Sequence, residues 1–451
     1  MNPPCPDPTH GLTLADLQRD YAQGTRTPSQ VWQTCQQRIA AEDGHLRSFL
    51  YVANDTASQQ AQASTRRWAQ GQPLGPLDGV PVALKDNIDV AGMPCTAGTE
   101  AWRHRVPSAD APLVQQLRAA GAVLVGKTNM DACALGGSTD NPHHGRCDNP
   151  RLPGHLVGGS SGGTAAALAA GFCAMGLGTD TLGSVRIPAA YVGLVGFKPS
   201  HGALATEGVI PLSRALDVVG PLAHDVDDLI ALGQMLGPPP SDTVAALAKQ
   251  TPRLGVLLPP GSALAPPLQR AWQAWCEALA PSTPLVTPPP AWLDQWQAGT
   301  LRRHALLLAE SDGLAYWQSQ LGHELTGLDP TTQAMLRYPL KAGTERLGQA
   351  RQALAAVRAA AALLWQHADV WLLPTLNHTA PRAAEGPPVD QADWCALANV
   401  LGCPALAMPA NSPNGPISVQ ALAAPGHDHA LLQWGRWLAQ RWRQAAERGH
   451  Q

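Results

Sequence analysis

Charge is scarce in this chain: 14% of its 451 residues are Asp, Glu, Lys or Arg, and they nearly cancel to a formal net charge of −3. That balance gives no electrostatic reason to expect nucleic acid or an anionic membrane as a partner. The nine cysteines include no CxxC pair, and an odd, scattered set argues against a disulfide framework. Cytosolic thiols are the simpler reading, so a cytoplasmic location is expected. The opening MNPPCPDPTHG has neither a basic n-region nor an apolar h-region, does not read as a secretory signal, and is expected to be a loose tail over residues 1–10. The longest run of small apolar residues, 164–177, is shorter than the roughly 20 residues a bilayer span needs, and Gly171 and Gly176 interrupt it. His143 and His144 are adjacent, lack the i, i+4 spacing of a zinc pair and have no matching cluster, so no metal and no cofactor is expected.

What is present suits a loop-rich enzyme. Apolar residues make up 45%, and the 43 glycines and 42 prolines are spread out rather than periodic. Early on, Thr27-Pro28-Ser29-Gln30 carries a cap, a proline suited to the first helical position and a capping-box acceptor; it predicts a helix from there to about Ala41, with a second over residues 54–68. From Gly79 short apolar runs alternate with helix-like segments, which indicates βαβ units and a buried, largely parallel sheet, with Lys85 near a strand end. Residues 253–259 and 370–374 read as further strands, residues 268–280 and about 291–368 as helical. A final helix over 428–448 presents Leu431, Leu432, Trp434, Leu438 and Trp442 as a docking face.

Two motif matches fail on context. Gly121, Gly126, Lys127 and Thr128 satisfy the P-loop pattern, but the intervening Ala-Val-Leu-Val is strand material, and Asn141 and Pro142 follow where a long helix should be. Gly159-Ser160-Ser161-Gly162-Gly163 fits the nucleophile elbow with Ser161 as nucleophile, yet the two prolines of residues 149–155 are unsuited to the central strand an elbow requires.

Two serines in glycine-lined turns remain, Ser160 in GGSSGG and Ser184 in GTDTLGSVRIPAA, together with Lys85 in GVPVALKDN. A serine hydroxyl must lose its proton as it attacks, and a neutral lysine can take that proton directly or through a second hydroxyl. An ordinary lysine is neutral in only about one molecule in 2500 at pH 7, so burial must lower its pKa. The glycines let backbone N–H groups converge on an oxyanion.

These residues, with DAPLVQQLRAAGAVLVGKTNM, PGHLVGGSSGGTAAALAAG, LGTDTLGSVRIPAAYVGLVGFKPSHG and GVIPLSRALDVVGPLAHDV, resemble the amidase signature family of Ser-Ser-Lys serine hydrolases. The likeness is close over about residues 78–228 and looser elsewhere. It implies one α/β domain with a large mixed sheet wrapped by helices. Within residues 1–451 it implies a helical part at 1–75, a signature core at 76–235, a variable pocket region at 236–369 and a return to the core at 370–451. It further implies Ser184 as the acyl-forming nucleophile, Ser160 as a bridging serine next to a cis non-proline peptide, and Lys85 as the base. The N–H groups of Thr181, Leu182, Gly183 and Ser184 would form the oxyanion hole, with Ser161, Asp180 and Arg186 supporting the network. Leu182 departs from the family, most of whose members have glycine there. If that position needs a positive φ, leucine would cost about 1–2 kcal/mol.

The resemblance implies a stand-alone hydrolase of small uncharged amides, with carbamates (urethanes) and aryl esters as further substrates. The alternatives are the A subunit of a glutamyl-tRNA amidotransferase, which typically has Gln where Ile187 stands, and an allophanate or biuret-type hydrolase, whose extra C-terminal domain this chain has little room for. The Trp-bearing stretch from Trp292 to Tyr338 is the candidate pocket wall, suited to an aromatic or alkyl group rather than a charged one. A homo-oligomer is left open.

Overall fold

The Thr27 capping box forms as its residues require. In the computed structural model, which describes residues 12–259, 262, 264–279, 283–410 and 415–448, Thr27 Oγ1 accepts from the Gln30 N–H at 3.2 Å and Gln30 Oε1 accepts from the Thr27 N–H at 2.8 Å. The helix runs over Pro28–Leu46, past the expected Ala41, and stops where Arg47 turns left-handed at φ 53°. A second helix, Asn54–Ala69, follows as expected. The tail expected over residues 1–10 lies outside the described residues.

The strands are β1 (Phe49–Val52), β2 (Pro81–Lys85), β3 (Val123–Thr128), a small hairpin β4 (Asp140–Asn141) and β5 (Gly145–Arg146), β6 (Met175–Asp180), β7 (Val195–Lys198), β8 (Val218–Ala223), β9 (Leu254–Val256), β10 (Leu285–Val286), β11 (Val370–Pro374), β12 (Ala405–Ala410) and β13 (Ile417–Leu422). All but the hairpin join one 11-stranded sheet in the order β1-β3-β2-β6-β8-β7-β12-β13-β11-β9-β10. The sheet is mixed rather than largely parallel: β2 runs parallel to β3 and β6, and β9 parallel to β10 and β11, while the pairings from β6 through β8, β7, β12 and β13 to β11 are antiparallel. The P-loop look-alike is β3, buried along its whole length. The chain is a single α/β domain.

Helices cover the sheet through three apolar clusters. The first packs the early helices and Gly162–Ala169 against β2, β3 and β6. The second joins the long helices Ala298–Leu321 and Pro330–His367 to Leu182, Trp292, Trp296 and Leu397. The third seats the last helix, Asp428–Arg448, whose Leu431, Leu432, Trp434, Leu438 and Trp442 are all buried in the predicted docking face. No helix among the described residues is long and apolar enough to cross a membrane, and every described cysteine is unbridged.

Candidate active site

Lys85 is the last residue of β2, a strand buried along its whole length between β3 and β6. That position carries its ammonium into the protein interior. Its side chain is fully buried, with Nζ 2.7 Å from Ser160 Oγ, 2.8 Å from Thr179 Oγ1 and 3.4 Å from the Thr179 carbonyl oxygen. Burial lowers the Lys85 pKa to about 7, against the opposing pull of Asp131, Asp217 and Asp180. A large fraction of this lysine is therefore neutral near pH 7, which an exposed lysine would not be.

The two serine turns meet beside it. The Gly159–Ser160 peptide is cis. Ser161 opens the Gly162–Ala169 helix, its N–H donating to the Ser184 carbonyl oxygen at 3.1 Å. Its hydroxyl donates to the Thr179 carbonyl at 3.2 Å and accepts from the Thr179 N–H at 3.3 Å. Ser161 is thus tied into backbone on both sides, and residues 149–155, which an elbow would need as a strand, form none. Ser160 and Lys85 are wholly enclosed, whereas Ser184 keeps 8% of its surface exposed. Of the three, only Ser184 can be met from outside.

The Ser184 turn is built around Asp180. Its carboxylate accepts from the Gly183 N–H at 2.7 Å and the Val185 N–H at 3.2 Å, and receives Arg186 Nη2 at 2.9 Å and Nε at 3.0 Å. Arg186 also donates to Gln420 Oε1 at 2.8 Å and Asn399 Oδ1 at 2.7 Å, so this buried guanidinium is well satisfied. Burial works to raise the Asp180 pKa, but Arg186 holds it down at about 2. On the other flank the Asp217 carboxylate accepts from Thr181 Oγ1 at 2.6 Å and from the Leu212 and Ser213 N–H groups at 2.9 and 3.0 Å. Burial raises the Asp217 pKa to about 6.

Leu182 needs no special backbone. The left-handed residue of the turn is its neighbour Gly183, at φ 123°, where an added Cβ would lie 2.6 Å from Cys395 Cβ and 2.8 Å from Ile187 Cδ1. The condition attached to leucine at position 182 therefore does not arise, and its side chain instead joins the apolar cluster of Ile210, Trp292, Trp296 and Trp317. Tyr338, the far end of the expected pocket wall, is 41% exposed and stands apart from it. His143 and His144 sit in the β4–β5 turn, where both backbone N–H groups donate to Asn141 Oδ1. No group of metal-ligating side chains occurs among the described residues.

Sequence reading missed Thr179, Asp131, Asp217, Asn399 and Gln420. Thr179 lies inside the GTDTLGS motif and is flagged by proximity to Ser184 alone. Asn399 and Gln420 arrive from more than 200 positions away, at |i−j| of 219 from Asp180 and 234 from Arg186, with no local pattern to mark them.

A family model described as Amidase matches residues 30–252 and 317–432. The crystal structure of an amidase superposes with a TM-score of 0.86 at 31% identity, covering 95% of this chain and 100% of that one. The native peptide amidase from Stenotrophomonas maltophilia gives 0.75 at 26% identity, covering 97% and 98%. Among curated proteins, the A subunit of the glutamyl-tRNA(Gln) amidotransferase of Chloroflexus aurantiacus is 43% identical over 238 residues, 52% of this chain and 49% of that protein. The chain thus matches about half the length of such curated relatives. On the family match, the shared sheet and the site architecture together, the chain belongs to the amidase signature family.

Proposed function

We propose that this protein hydrolyses the C–N bond of a small amide through a covalent acyl-enzyme on Ser184. The observation that carries the proposal is the 2.7 Å contact between Ser160 Oγ and a buried Lys85 whose pKa falls to about 7. Neutral Lys85 takes the Ser160 proton as Ser160 takes that of Ser184, and Ser184 Oγ attacks the carbonyl carbon. The negative charge moves to the carbonyl oxygen. The Gly183 N–H is already engaged by Asp180, which leaves the N–H groups of Thr181, Leu182 and Ser184 as the proposed oxyanion donors. As the C–N bond breaks, the proton held on Lys85 returns through Ser160 to the leaving amine. Water then attacks the ester by the same relay and frees the acid. Asp180, Arg186 and Ser161 hold the two turns in place. Carbamates and aryl esters present the same carbonyl and are proposed as further substrates.

Two assemblies accommodate this chemistry. A stand-alone hydrolase is supported by the amidase structures that span nearly the whole chain. Membership of an amidotransferase, as its A subunit, is favoured by the curated relatives of that name at about 40% identity, although the match covers half of each protein. The third reading, an allophanate or biuret-type hydrolase, stays beside these two, since structures described as those of an s-triazine catabolic enzyme in a protein complex superpose with TM-scores of 0.86 and 0.85 at 29% and 30% identity. Purified protein alone, offered a panel of chromogenic anilides, aryl esters and aryl carbamates, separates the two assemblies: amine release without partners supports the first reading. Turnover only with partner proteins and charged tRNA supports the second.

A further inference from the structure

Asn87 stands two residues beyond Lys85, where the chain leaves β2 and turns. The Ile88 N–H donates to the Lys85 carbonyl oxygen at 3.0 Å and the Ile210 N–H to the Asn87 carbonyl oxygen at 2.8 Å, so the turn is pinned from two sides. The Asn87 side chain is 2% exposed, and its Nδ2 donates to the Ile210 carbonyl oxygen at 3.2 Å and to Thr179 Oγ1 at 3.1 Å. A carbonyl oxygen can only accept, so the Ile210 contact fixes which end of the amide faces Thr179. Among the described residues Asn87 Oδ1 has no hydrogen-bond partner. Burying an acceptor in that state is costly, and the two N–H donations are what this side chain supplies.

One of those donations governs the hydroxyl beside the lysine. Lys85 Nζ lies 2.8 Å from the same Thr179 Oγ1 and 2.7 Å from Ser160 Oγ. A hydroxyl has one O–H and room to accept two hydrogen bonds. With Asn87 on one acceptor position, Thr179 Oγ1 offers the other to Lys85, and its own O–H points to neither. A neutral amine has two N–H groups and one lone pair. The N–H groups go to Thr179 Oγ1 and to the Thr179 carbonyl oxygen at 3.4 Å, which leaves the lone pair for the Ser160 proton. Without the Asn87 donation the Thr179 hydroxyl is free to rotate and set its own O–H on the lysine lone pair, in competition with Ser160.

We infer that Asn87 is a positioning residue which, by donating to Thr179 Oγ1, keeps that hydroxyl an acceptor towards Lys85 and so reserves the lysine lone pair for Ser160. The inference rests on the reading of Lys85 as base and Ser184 as nucleophile, and deepens it. Asn87 acts through Thr179, and its effect requires the hydroxyl there.

The rate at which a fluorophosphonate labels Ser184 reports how strongly the relay activates this serine and needs no amide substrate. Asn87→Leu, similar in size but without donors, should lower the plateau labelling rate about tenfold or more in the wild-type background. Added to Thr179→Val it should cost less than about threefold, because no hydroxyl is left to orient. The acidic limb of labelling in Asn87→Leu should not move above its wild-type position near pH 7, since Asp131, Asp217 and Asp180, the charges that act on Lys85, are unchanged. A loosened, wetter site would instead carry the limb up towards the ordinary lysine value of about 10.4. Asn87→Asp accepts the Thr179 proton and leaves the hydroxyl's lone pairs to Lys85, so its plateau should stay within about threefold of wild type while its added negative charge raises the limb. Thermal melting shows which variants fold, and if Asn87→Leu does not, the Asn87→Asp plateau decides. An equal loss from Asn87→Leu in both backgrounds, a limb that rises in Asn87→Leu, or a plateau about tenfold down in Asn87→Asp would overturn the inference. Wild type that takes no label on Ser184 would instead overturn the nucleophile reading, and the inference with it.

Discussion

Lys85 Nζ and Ser160 Oγ stand 2.7 Å apart although 75 positions separate them in the chain. β2 holds the lysine at its C-terminal end, and the turn before the Gly162–Ala169 helix brings the serine to the same place. The contact joins a base made neutral by burial to a hydroxyl that can relay a proton, and the proposed chemistry depends on both.

If Lys85 acts as a base, kcat/KM should rise with pH through about 7, because the neutral form accumulates above its pKa. Asp217 raises the Lys85 pKa through its negative charge. Asp217→Asn removes that charge with little change of shape: the amide oxygen can still accept from the Leu212 and Ser213 N–H groups, and the amide nitrogen can donate to Thr181 Oγ1. The acidic limb of the profile should therefore move to lower pH. An unmoved limb with a uniformly reduced rate would mean that Asp217 only supports the turn.

Gly183 and Leu182 should both lose stability on substitution, for different physical reasons. Gly183→Ala meets both a φ of 123° and a 2.6 Å approach to Cys395 Cβ, so it should destabilise the fold by about 2 kcal/mol or more in denaturant titrations. Leu182→Ala removes a buried side chain without backbone strain and should cost about 2–3 kcal/mol. It should also keep active-site labelling while raising the relative kcat/KM for bulkier acyl anilides. An unchanged substrate ranking would place Leu182 outside the pocket.

Arg186→Met should be more damaging than a surface charge change, since it strands Asp180 in the interior. A loss of about 3–5 kcal/mol is expected from equilibrium unfolding. A loss below about 1 kcal/mol would show that Asp180 is held by its backbone donors and Asn399 without the guanidinium.

Local features are legible in the sequence, and distant ones are concealed. The Thr27 capping box, the β3 run that mimics a P-loop, β11 at residues 370–374 and the apolar face of the last helix each depend on neighbours within a turn or two, and each forms at the expected place. The sheet is harder to read, because continuous apolar runs mark buried strands without giving their direction, and the antiparallel pairings of β6, β8, β7, β12 and β13 leave no sign in the pattern. At the site, Lys85, Ser160 and Ser184 stand out because glycines and a family motif surround them. Thr179, Asn399 and Gln420 have ordinary surroundings in the sequence and acquire their roles through folding.

The most direct test of the central claim is the site of covalent labelling. Wild type and the Ser184→Ala and Ser161→Ala variants would be treated with a fluorophosphonate probe, and the adduct located by intact mass and peptide mapping. The account predicts one adduct on Ser184 in wild type and Ser161→Ala, and none in Ser184→Ala. Labelling that persists in Ser184→Ala and disappears only in Ser161→Ala would contradict it and make Ser161 the nucleophile.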